Sequence, residues 1–315
     1  MKIISIVTPC YNEEENVAEL YRQVKGQFAF LSQYQYEHIF IDNCSSDKTV
    51  EILKQIAAND KNVKIIVNAR NFGHIRSPYY GMLQAGGDCV ISLVSDLQDP
   101  PEMIPKLLAK WEEGFRIVTC VKSKSKENPL MFMLRKLYYN ILSRFSETEQ
   151  IKNFTGFGLY DKKFMDVLRN DVDDPYPYFR GLVGELGFSM CELEYVQPKR
   201  KYGKTKNNFY TLYDIGMLGL INHSKIPLRM ASFVGFGVAI LSLIVAIVYF
   251  VYKLIYWDSF AVGTAPLVIG LFFFSSVQLI FIGIIGEYIG AIHTQVRKRP
   301  LVIEKERVNF KEPNL

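Results

Sequence analysis

The sequence predicts an α/β domain with a Rossmann-like, mostly parallel sheet, followed by a C-terminal two-helix transmembrane hairpin. Two observations predict this architecture. In the first part of the chain, short apolar runs rich in β-branched residues alternate with segments of helical spacing. In the last third, two long apolar runs contain no charged residue. Because single cores rarely grow beyond about 250–300 residues, a chain of 315 residues has room for one such domain and an anchor.

The predicted sheet is built from four short apolar runs. The predicted strands are Lys2–Thr8, Tyr36–Ile41, Val63–Val67 and Cys89–Val94. The predicted helices are Glu13–Phe30, Asp47–Ala58, a segment from Ser77-Pro78 to Gly86-Gly87, and Met103–Glu113. We expect Asp99 to cap the last of these helices, ahead of Pro100. Ligands of such sheets bind beyond the carboxyl ends of the strands.

Two apolar runs predict the membrane hairpin. Met230–Tyr252 and Pro266–Gly286 are each long enough, at about 1.5 Å per residue, to cross a hydrocarbon core of about 30 Å. Lys and Arg residues flank the outer ends of the pair, whereas the only charged residues of the connection between the runs are Lys253 and Asp258. The positive-inside rule therefore predicts a multi-pass protein of the inner (plasma) membrane with both termini in the cytoplasm.

These patterns divide the chain into four predicted parts. They are a cytosolic domain over 1–205, a juxtamembrane interfacial helix over 206–228, two transmembrane helices within 229–292 (about 230–252 and 266–288), and a cytosolic C-terminal tail over 293–315. The interfacial helix is predicted because 207–221 mixes aromatic and aliphatic residues with few charges.

Composition and motifs exclude several classes of protein. The five cysteines include no CxxC pair, which indicates neither a disulfide framework nor a zinc site. A net charge of +5 gives the chain no nucleic-acid signature. The motifs GxGxxG after a strand, GxxxxGK[ST], HExxH and GxSxG are absent. The commonest dehydrogenase, phosphate-loop ATPase, metalloprotease and lipase interpretations are therefore excluded.

Three polar clusters that follow predicted strands carry the functional signal. They are Thr8-Pro9-Cys10-Tyr11-Asn12-Glu13-Glu14, Ile41-Asp42-Asn43-Cys44-Ser45-Ser46-Asp47 and Ser95-Asp96-Leu97-Gln98-Asp99-Pro100-Pro101-Glu102. In this order they resemble family 2 glycosyltransferases with the GT-A fold, specifically the polyprenyl-phosphate glycosyltransferases. That branch includes the bactoprenol glucosyltransferases and dolichyl-phosphate mannose synthase. The likeness continues through Ala69-Arg70-Asn71-Phe72-Gly73, Arg200 with Gly203-Lys204-Thr205-Lys206, Ile285-Gly286-Glu287-Tyr288-Ile289-Gly290 and Arg299-Pro300.

The resemblance implies an enzyme and its partners. It implies an inverting transfer of a hexose or N-acetylhexosamine from a UDP-sugar to undecaprenyl (polyprenyl) phosphate, at the cytoplasmic membrane face, for cell-envelope glycan modification. It also implies a homotetramer in the lipid bilayer. It assigns the nucleotide to Pro9, Tyr11, Glu13, Asp42, Arg70, Ser95 and Asp96, with Asp42 reading the base.

Asp96 is the central catalytic and metal candidate. Negative charge develops on the diphosphate as the sugar leaves, and a divalent cation that bridges phosphate oxygens to a carboxylate neutralises that charge. We therefore expect Mg²⁺ or Mn²⁺ on Asp96, with Gln98 as its helper. The resembling family reads Asp-Ala-Asp-x-Gln here, and Val94 replaces the first Asp.

A second departure from the family lies at Gly156, where the family offers a carboxylate. An alcohol acceptor needs a base, but a phosphate with a second pKa of about 6 is already largely anionic at neutral pH. The glycine therefore agrees with a lipid-phosphate acceptor. Arg135 and Arg144 are candidates to hold that phosphate, and Arg200 and Lys206 are catalytic candidates in a basic loop that can close over the donor.

Alternative interpretations stay open. Val94 and Gly156 also suit a non-catalytic membrane protein that keeps the fold for binding or assembly. A processive polysaccharide synthase normally shows a Gln-x-x-Arg-Trp motif, and neither Trp111 nor Trp257 lies in one. Arg135 also suits a solvated helix face. Asn12 and Ser46 suit helix caps better than ligand contacts.

Overall fold

The computed structural model describes residues 1–124, 151, 153–198, 226–256 and 264–310. The strands are β1 (Lys2–Cys10), β2 (Tyr34–Asp42), β3 (Val63–Asn68), β4 (Cys89–Ser92), β5 (Ile117–Lys124), β6 (Phe154–Asp161), β7 (Met190–Val196) and β8 (Glu304–Val308). The helices are α1 (Val17–Ala29), α2 (Thr49–Asn59), α3 (Gly73–Leu83), α4 (Ile104–Glu112), α5 (Lys162–Asn170), α6 (Phe179–Glu185), α7 (Ile226–Ile255) and α8 (Thr264–Val296). A short 3₁₀ turn, Pro101–Met103, precedes α4.

The strands of the described residues form one sheet in the order β7-β5-β6-β4-β1-β2-β3-β8. Strands β4, β1, β2 and β3 pair in parallel, as do β5 and β7. Strand β6 is antiparallel to both of its neighbours, and β8 is antiparallel to β3. Six of the eight strands therefore point the same way, and the predicted mostly parallel sheet is confirmed.

Helices cover both faces of this sheet, because successive strand side chains point to opposite faces. On one face, Ile4, Ile6 and Phe40 pack with residues of α1, α2 and α4. On the other face, Val7 and Ile41 pack with residues of α3 and α5. The central strands are buried on both sides, which explains why they read as continuous apolar runs in the sequence.

The start of α3 differs from the prediction. The helix begins at Gly73, so Pro78 lies inside it and Ser77 is not its cap. The Ser77 hydroxyl instead accepts a hydrogen bond of 3.0 Å from Asn68 Nδ2 at the end of β3. The helix also ends at Leu83, short of the Gly86-Gly87 pair.

Three strands, β5 to β7, follow α4 in a region where the sequence analysis predicted none. Strand β6 inserts between β4 and β5 and passes so close to β5 that a Cβ on Gly158 would lie 2.5 Å from the Val118 carbonyl oxygen. Only glycine fits at that position without a shift of the backbone. Strand β6 brings Thr155 and Gly156 to the edge of the sheet where the parallel strands end.

The segment predicted as a C-terminal tail, 293–315, supplies an edge strand of the sheet. The Ala69 amide donates to the Ile303 carbonyl at 2.8 Å, where this segment meets the end of β3. Asn309 Nδ2 donates to the carbonyls of Ala57 and Val63, each at 2.8 Å. The charged sequence Glu304–Val308 is half exposed, as an edge strand allows.

Two long helices, α7 and α8, contain the predicted hairpin and contact each other. Their described apolar side chains are largely exposed, for example Phe233 at 76% and Leu267 at 72%. By length and composition, one stretch within the described ranges, Phe273–Val296, can cross a membrane. A crossing by α7 stays a prediction. Most of the predicted interfacial helix, residues 206–225, lies outside the described residues.

His38 on β2 is a buried neutral group in the core. It is fully buried, its Nε2 lies 3.0 Å from Thr8 Oγ1, and its ring stacks on Phe40 at a centroid distance of 3.9 Å. Burial lowers the pKa of His38 to about 3, and Asp60 opposes this shift only in part. Between that value and the unfolded pKa of about 6.5, the unfolded chain binds the extra proton.

We expect His38 to make the protein acid-sensitive. Because the unfolded state binds more protons, stability rises with pH through this window and is lost as pH falls. Between pH 7 and pH 5 the loss from this one group is on the order of 1–2 kcal/mol. Denaturant unfolding of wild type and His38→Leu in detergent measures it. The variant loses the Thr8 contact at every pH. The diagnostic quantity is therefore the change in the free energy of unfolding between pH 7 and pH 5. Equal changes in the two proteins would contradict the assignment.

Candidate active site

A cavity of about 620 Å³ lies at the carboxyl edge of the parallel strands. Its lining comes from the loops after β1, β2, β3 and β4, from helix α3, and from the facing ends of β5, β6 and α6. Among the lining residues are Pro9, Tyr11, Glu13, Asn43, Asn71, His74, Val94, Ser95, Asp96, Gln98, Asp99, Lys122, Thr155, Gly156 and Arg180. The predicted clusters from three separate loops therefore meet on one cavity.

The loops after β1 and β2 are held together by side chains. Asn12 has a φ of 56°, a conformation that Asn tolerates better than most residues. The Asn12 Oδ1 accepts from the backbone N–H of Ser46, and the backbone N–H of Asn12 donates to Ser45 Oγ, each at 2.8 Å. The helix-cap interpretation of Asn12 and Ser46 is therefore wrong, since α1 begins after Asn16 and α2 after Lys48.

Asp42 is fully buried at the end of β2. Its carboxylate accepts hydrogen bonds from the amide of Ser45, at 2.9 Å, and from the Ser45 hydroxyl. Burial raises the pKa of Asp42, and the bonds from Ser45 oppose that shift. The neighbouring Asn43, not Asp42, lines the cavity, and its Nδ2 donates to Asn71 Oδ1 at 2.9 Å.

The other predicted nucleotide residues divide into two groups. Pro9, Tyr11, Glu13 and Ser95 line the cavity. Arg70 is exposed and does not line the cavity, because its guanidinium stacks on Phe72 at 4.0 Å and donates to the Asn71 carbonyl at 2.9 Å. The structure therefore brings Arg70 close to the site without placing it on the cavity wall.

The loop after β4 carries Asp96 and Gln98, which both line the cavity. The backbone N–H of Gln98 donates to Asp96 Oδ1 at 3.1 Å, and Leu97 between them has a φ of 61°. The described residues contain no group of three or more His, Cys, Asp or Glu that could hold a metal ion. Asp96 and Gln98 are the residues of this loop that would hold a cation, with phosphate oxygens and water available to complete its coordination. Mg²⁺ accepts such a site.

Val94 is 37% exposed and also lines the cavity. It stands where the resembling family has the first carboxylate of its motif. The loop after β4 therefore offers an apolar surface beside Asp96 instead of a second carboxylate at that position.

Asp99 is not the predicted helix cap. The 3₁₀ turn before α4 follows Pro100 and has no side-chain cap. Asp99 is buried, and its carboxylate accepts from the Val94 amide at 3.3 Å and from the Tyr195 hydroxyl at 3.1 Å. Burial raises the pKa of Asp99 to about 7. Asp99 therefore ties the loop after β4 to strand β7.

Several cavity residues were missed by the sequence analysis, chiefly Asn43, Lys122 and Arg180. Lys122 and Arg180 belong to elements after α4, for which no strand or helix had been predicted. Asn43 was overlooked beside Asp42, although it belongs to the same cluster. The candidates Arg135, Arg144, Arg200 and Lys206 lie outside the described residues.

Polar residues from three loops meet at the carboxyl edge of a mostly parallel sheet. This arrangement is typical of α/β proteins that bind a ligand beyond the strand ends. The chain belongs to glycosyl transferase family 2, whose family model matches residues 5–170. The resemblance to family 2 glycosyltransferases predicted from the sequence motifs is confirmed.

Relatives match almost the whole chain. It is 33% identical to the uncharacterized glycosyltransferase YkcC of Bacillus subtilis, over 99% of this chain and 96% of that protein. It is 31% identical to the SfII prophage-derived bactoprenol glucosyl transferase of Shigella flexneri, over 96% of this chain and 97% of that protein. Among solved structures, Staphylococcus aureus TarS in complex with UDP-GlcNAc matches with a TM-score of 0.44 and 18% identity, over 71% of this chain and 67% of that one.

We expect Asp99→Ala to destabilise the domain. The substitution leaves the buried Tyr195 hydroxyl and the partly buried Val94 amide without their acceptor, which costs about 1–3 kcal/mol. Denaturant unfolding at pH 6 measures this, because the raised pKa keeps the carboxyl largely protonated there and little charge burial is relieved. Asp173→Ala is the control, since its exposed ion pair with Lys298 contributes little. Equal stability of the two variants would contradict the role of Asp99.

Proposed function

We propose that this protein transfers a hexose or N-acetylhexosamine from a UDP-sugar to polyprenyl phosphate, with inversion, at the cytoplasmic face of the membrane. The observation that carries the proposal is that Tyr11, Glu13 and Asp96, from separate loops, line one cavity. Membership of family 2 and the near full-length likeness to a bactoprenol glucosyl transferase support the reaction and the acceptor.

The two sides of the cavity suit the two substrates. The loops after β1 and β2 suit the nucleotide, with Pro9, Tyr11 and Glu13 on the wall and Asp42 holding Ser45 behind it. On the other side the chain has Gly156 where the resembling family has a carboxylate, and the loss of that base suits an acceptor that arrives already ionised. We retain Arg70 as a nucleotide-binding candidate and Arg200 and Lys206 as catalytic candidates. Arg135 and Arg144 stay candidates for the acceptor phosphate.

Asp96 and Gln98 are the proposed ligands of Mg²⁺ or Mn²⁺. When bound, such an ion neutralises the charge that develops on the departing diphosphate. The bond from the Gln98 amide to Asp96 Oδ1 supports this role, because it fixes one oxygen of the carboxylate in the loop. Asp99 holds the other end of the loop through the Val94 amide.

The C-terminal strand supports a two-span anchor. Because β8 pairs with β3, the chain must return to the side of the catalytic domain after α8. Between β3 and β8 it can therefore cross a membrane only an even number of times. If α8 crosses through Phe273–Val296, a second crossing is needed, and α7 is the remaining long apolar helix among the described residues. We propose a multi-pass protein with both termini in the cytoplasm.

We expect purified protein to convert undecaprenyl phosphate to a glycolipid with at least one UDP-sugar, and EDTA to lower the rate. Asp96→Asn should lower kcat/KM by about 100-fold or more, because the charge on the diphosphate is then poorly neutralised. Thin-layer chromatography of products from radiolabelled donors measures this.

Asp166→Asn is the matched control for Asp96→Asn, since Asp166 lies on α5 in an ion pair with Arg169 and does not line the cavity. It should keep wild-type activity. Tight UDP binding without turnover for every donor, unchanged in Asp96→Asn, would favour the alternative of a non-catalytic binding protein.

We expect fusions to report the two-span topology in a bacterial host. Alkaline phosphatase inserted after Tyr256, at the end of α7, should be active because it reaches the periplasm. Green fluorescent protein after Leu315 should fluoresce because it stays in the cytoplasm. An inactive phosphatase after Tyr256 together with a fluorescent C-terminal fusion would mean that α7 and α8 do not cross.

A further inference from the structure

Arg180 differs from the other described arginines of residues 1–198. Arg22, Arg116 and Arg169 each pair with a carboxylate, and Arg70 and Arg76 each stack on an aromatic ring. Arg180 lines the cavity, is half buried and has no ion pair or hydrogen-bond partner among the described residues. Since a cation removed from bulk water needs an anion or acceptor, this placement suits an anionic ligand.

The backbone that carries Arg180 is fixed by its neighbours. Phe179 packs edge-on against Tyr160, with ring centroids 5.0 Å apart, and against Phe164 at 6.3 Å. Tyr178, which precedes Phe179, is buried at 8% exposure, and Gly181, which follows Arg180, is also buried. The guanidinium therefore projects from a rigid base, as a residue that positions a substrate requires.

Contacts place Arg180 on the Gly156 side of the cavity. Tyr160, which packs on Phe179, is fully buried and donates its hydroxyl to the Gly156 carbonyl at 2.8 Å. Thr155, Gly156 and Arg180 all line the cavity. The wall that lacks the carboxylate expected from the family is thus the wall that carries an uncompensated cation.

We propose that Arg180 binds the phosphate of the lipid acceptor and holds it for attack. The proposal rests on the proposed function and adds a residue to it. An oxygen of the acceptor phosphate forms the bond to C1 of the sugar, and the bond from C1 to the donor diphosphate breaks, with its electron pair leaving on UDP. The attacking oxygen is already ionised, so no base is needed. A guanidinium suits that phosphate because it can donate two parallel hydrogen bonds.

The test compares Arg180→Gln and Arg180→Lys with wild type, with Arg22→Gln as the control. Arg22 is an exposed arginine on α1, paired with Glu19, and does not line the cavity. Initial rates give KM for undecaprenyl phosphate in mixed micelles at saturating donor. Calorimetry gives the affinity for UDP with Mg²⁺ and without acceptor, and also reports that each variant is folded.

We expect Arg180→Gln to raise the acceptor KM by about tenfold or more, as for the loss of a charge-assisted hydrogen bond, with UDP affinity unchanged. The acceptor KM of Arg180→Lys should lie between those of wild type and Arg180→Gln. The acceptor KM of Arg22→Gln should equal that of wild type. Weaker UDP binding with an unchanged acceptor KM would overturn the proposal and assign Arg180 to the donor diphosphate. An acceptor KM equal to wild type would also overturn it. If wild type itself transfers no sugar to any polyprenyl phosphate, the proposed function fails, independently of the variants.

Discussion

The parallel pairing of β1 with β2 and β4 is the constraint on which the rest of the molecule depends. Cys10 lies opposite Asp42, and Val7 lies opposite Ser92, so all three strands end at one edge of the sheet. Three loops that are far apart in the sequence therefore begin side by side at this edge of the sheet. The nucleotide-type clusters and the acidic loop converge because of this register and would not meet in an antiparallel arrangement.

The parallel half of the fold could be predicted because its strands are buried on both faces. Lys2–Cys10 and Cys89–Ser92 are short, continuous apolar runs, and runs of this length are typical of strands buried on both faces. Strand β5 begins with a similar run, Ile117–Val121, which the sequence analysis overlooked. Strands β7 and β8 carry more charge. Met190–Val196 alternates with charged residues, and Glu304–Val308 is charged throughout except at its last residue. The pairing of β8 with β3 spans more than 200 residues, a long-range contact that no local pattern encodes.

The site was predictable where a motif names a loop and less so where tertiary contacts decide a side chain's role. Asp96 and Gln98 lie on the cavity as the motif implied. Asp99 carried the sequence signal of a cap, but burial and the reach of Tyr195 from β7 gave it a different partner. Asp42 and Asn43 illustrate the same limit, since adjacent residues at a strand end point in different directions and only one of them lines the cavity.

Charge connects the two departures from the family pattern. Val94 removes one carboxylate beside Asp96, and Gly156 leaves another position without one, so the cavity is less anionic than the family motif would make it. Lys122 and Arg180 add cationic groups to the same lining. In the proposed reaction two anionic substrates, a nucleoside-diphosphate sugar and a lipid phosphate, would approach each other here, and fewer carboxylates would reduce the repulsion that both meet. A cavity that serves an ionised acceptor therefore gains from losing a general base, whereas one that serves an alcohol would lose activity with it.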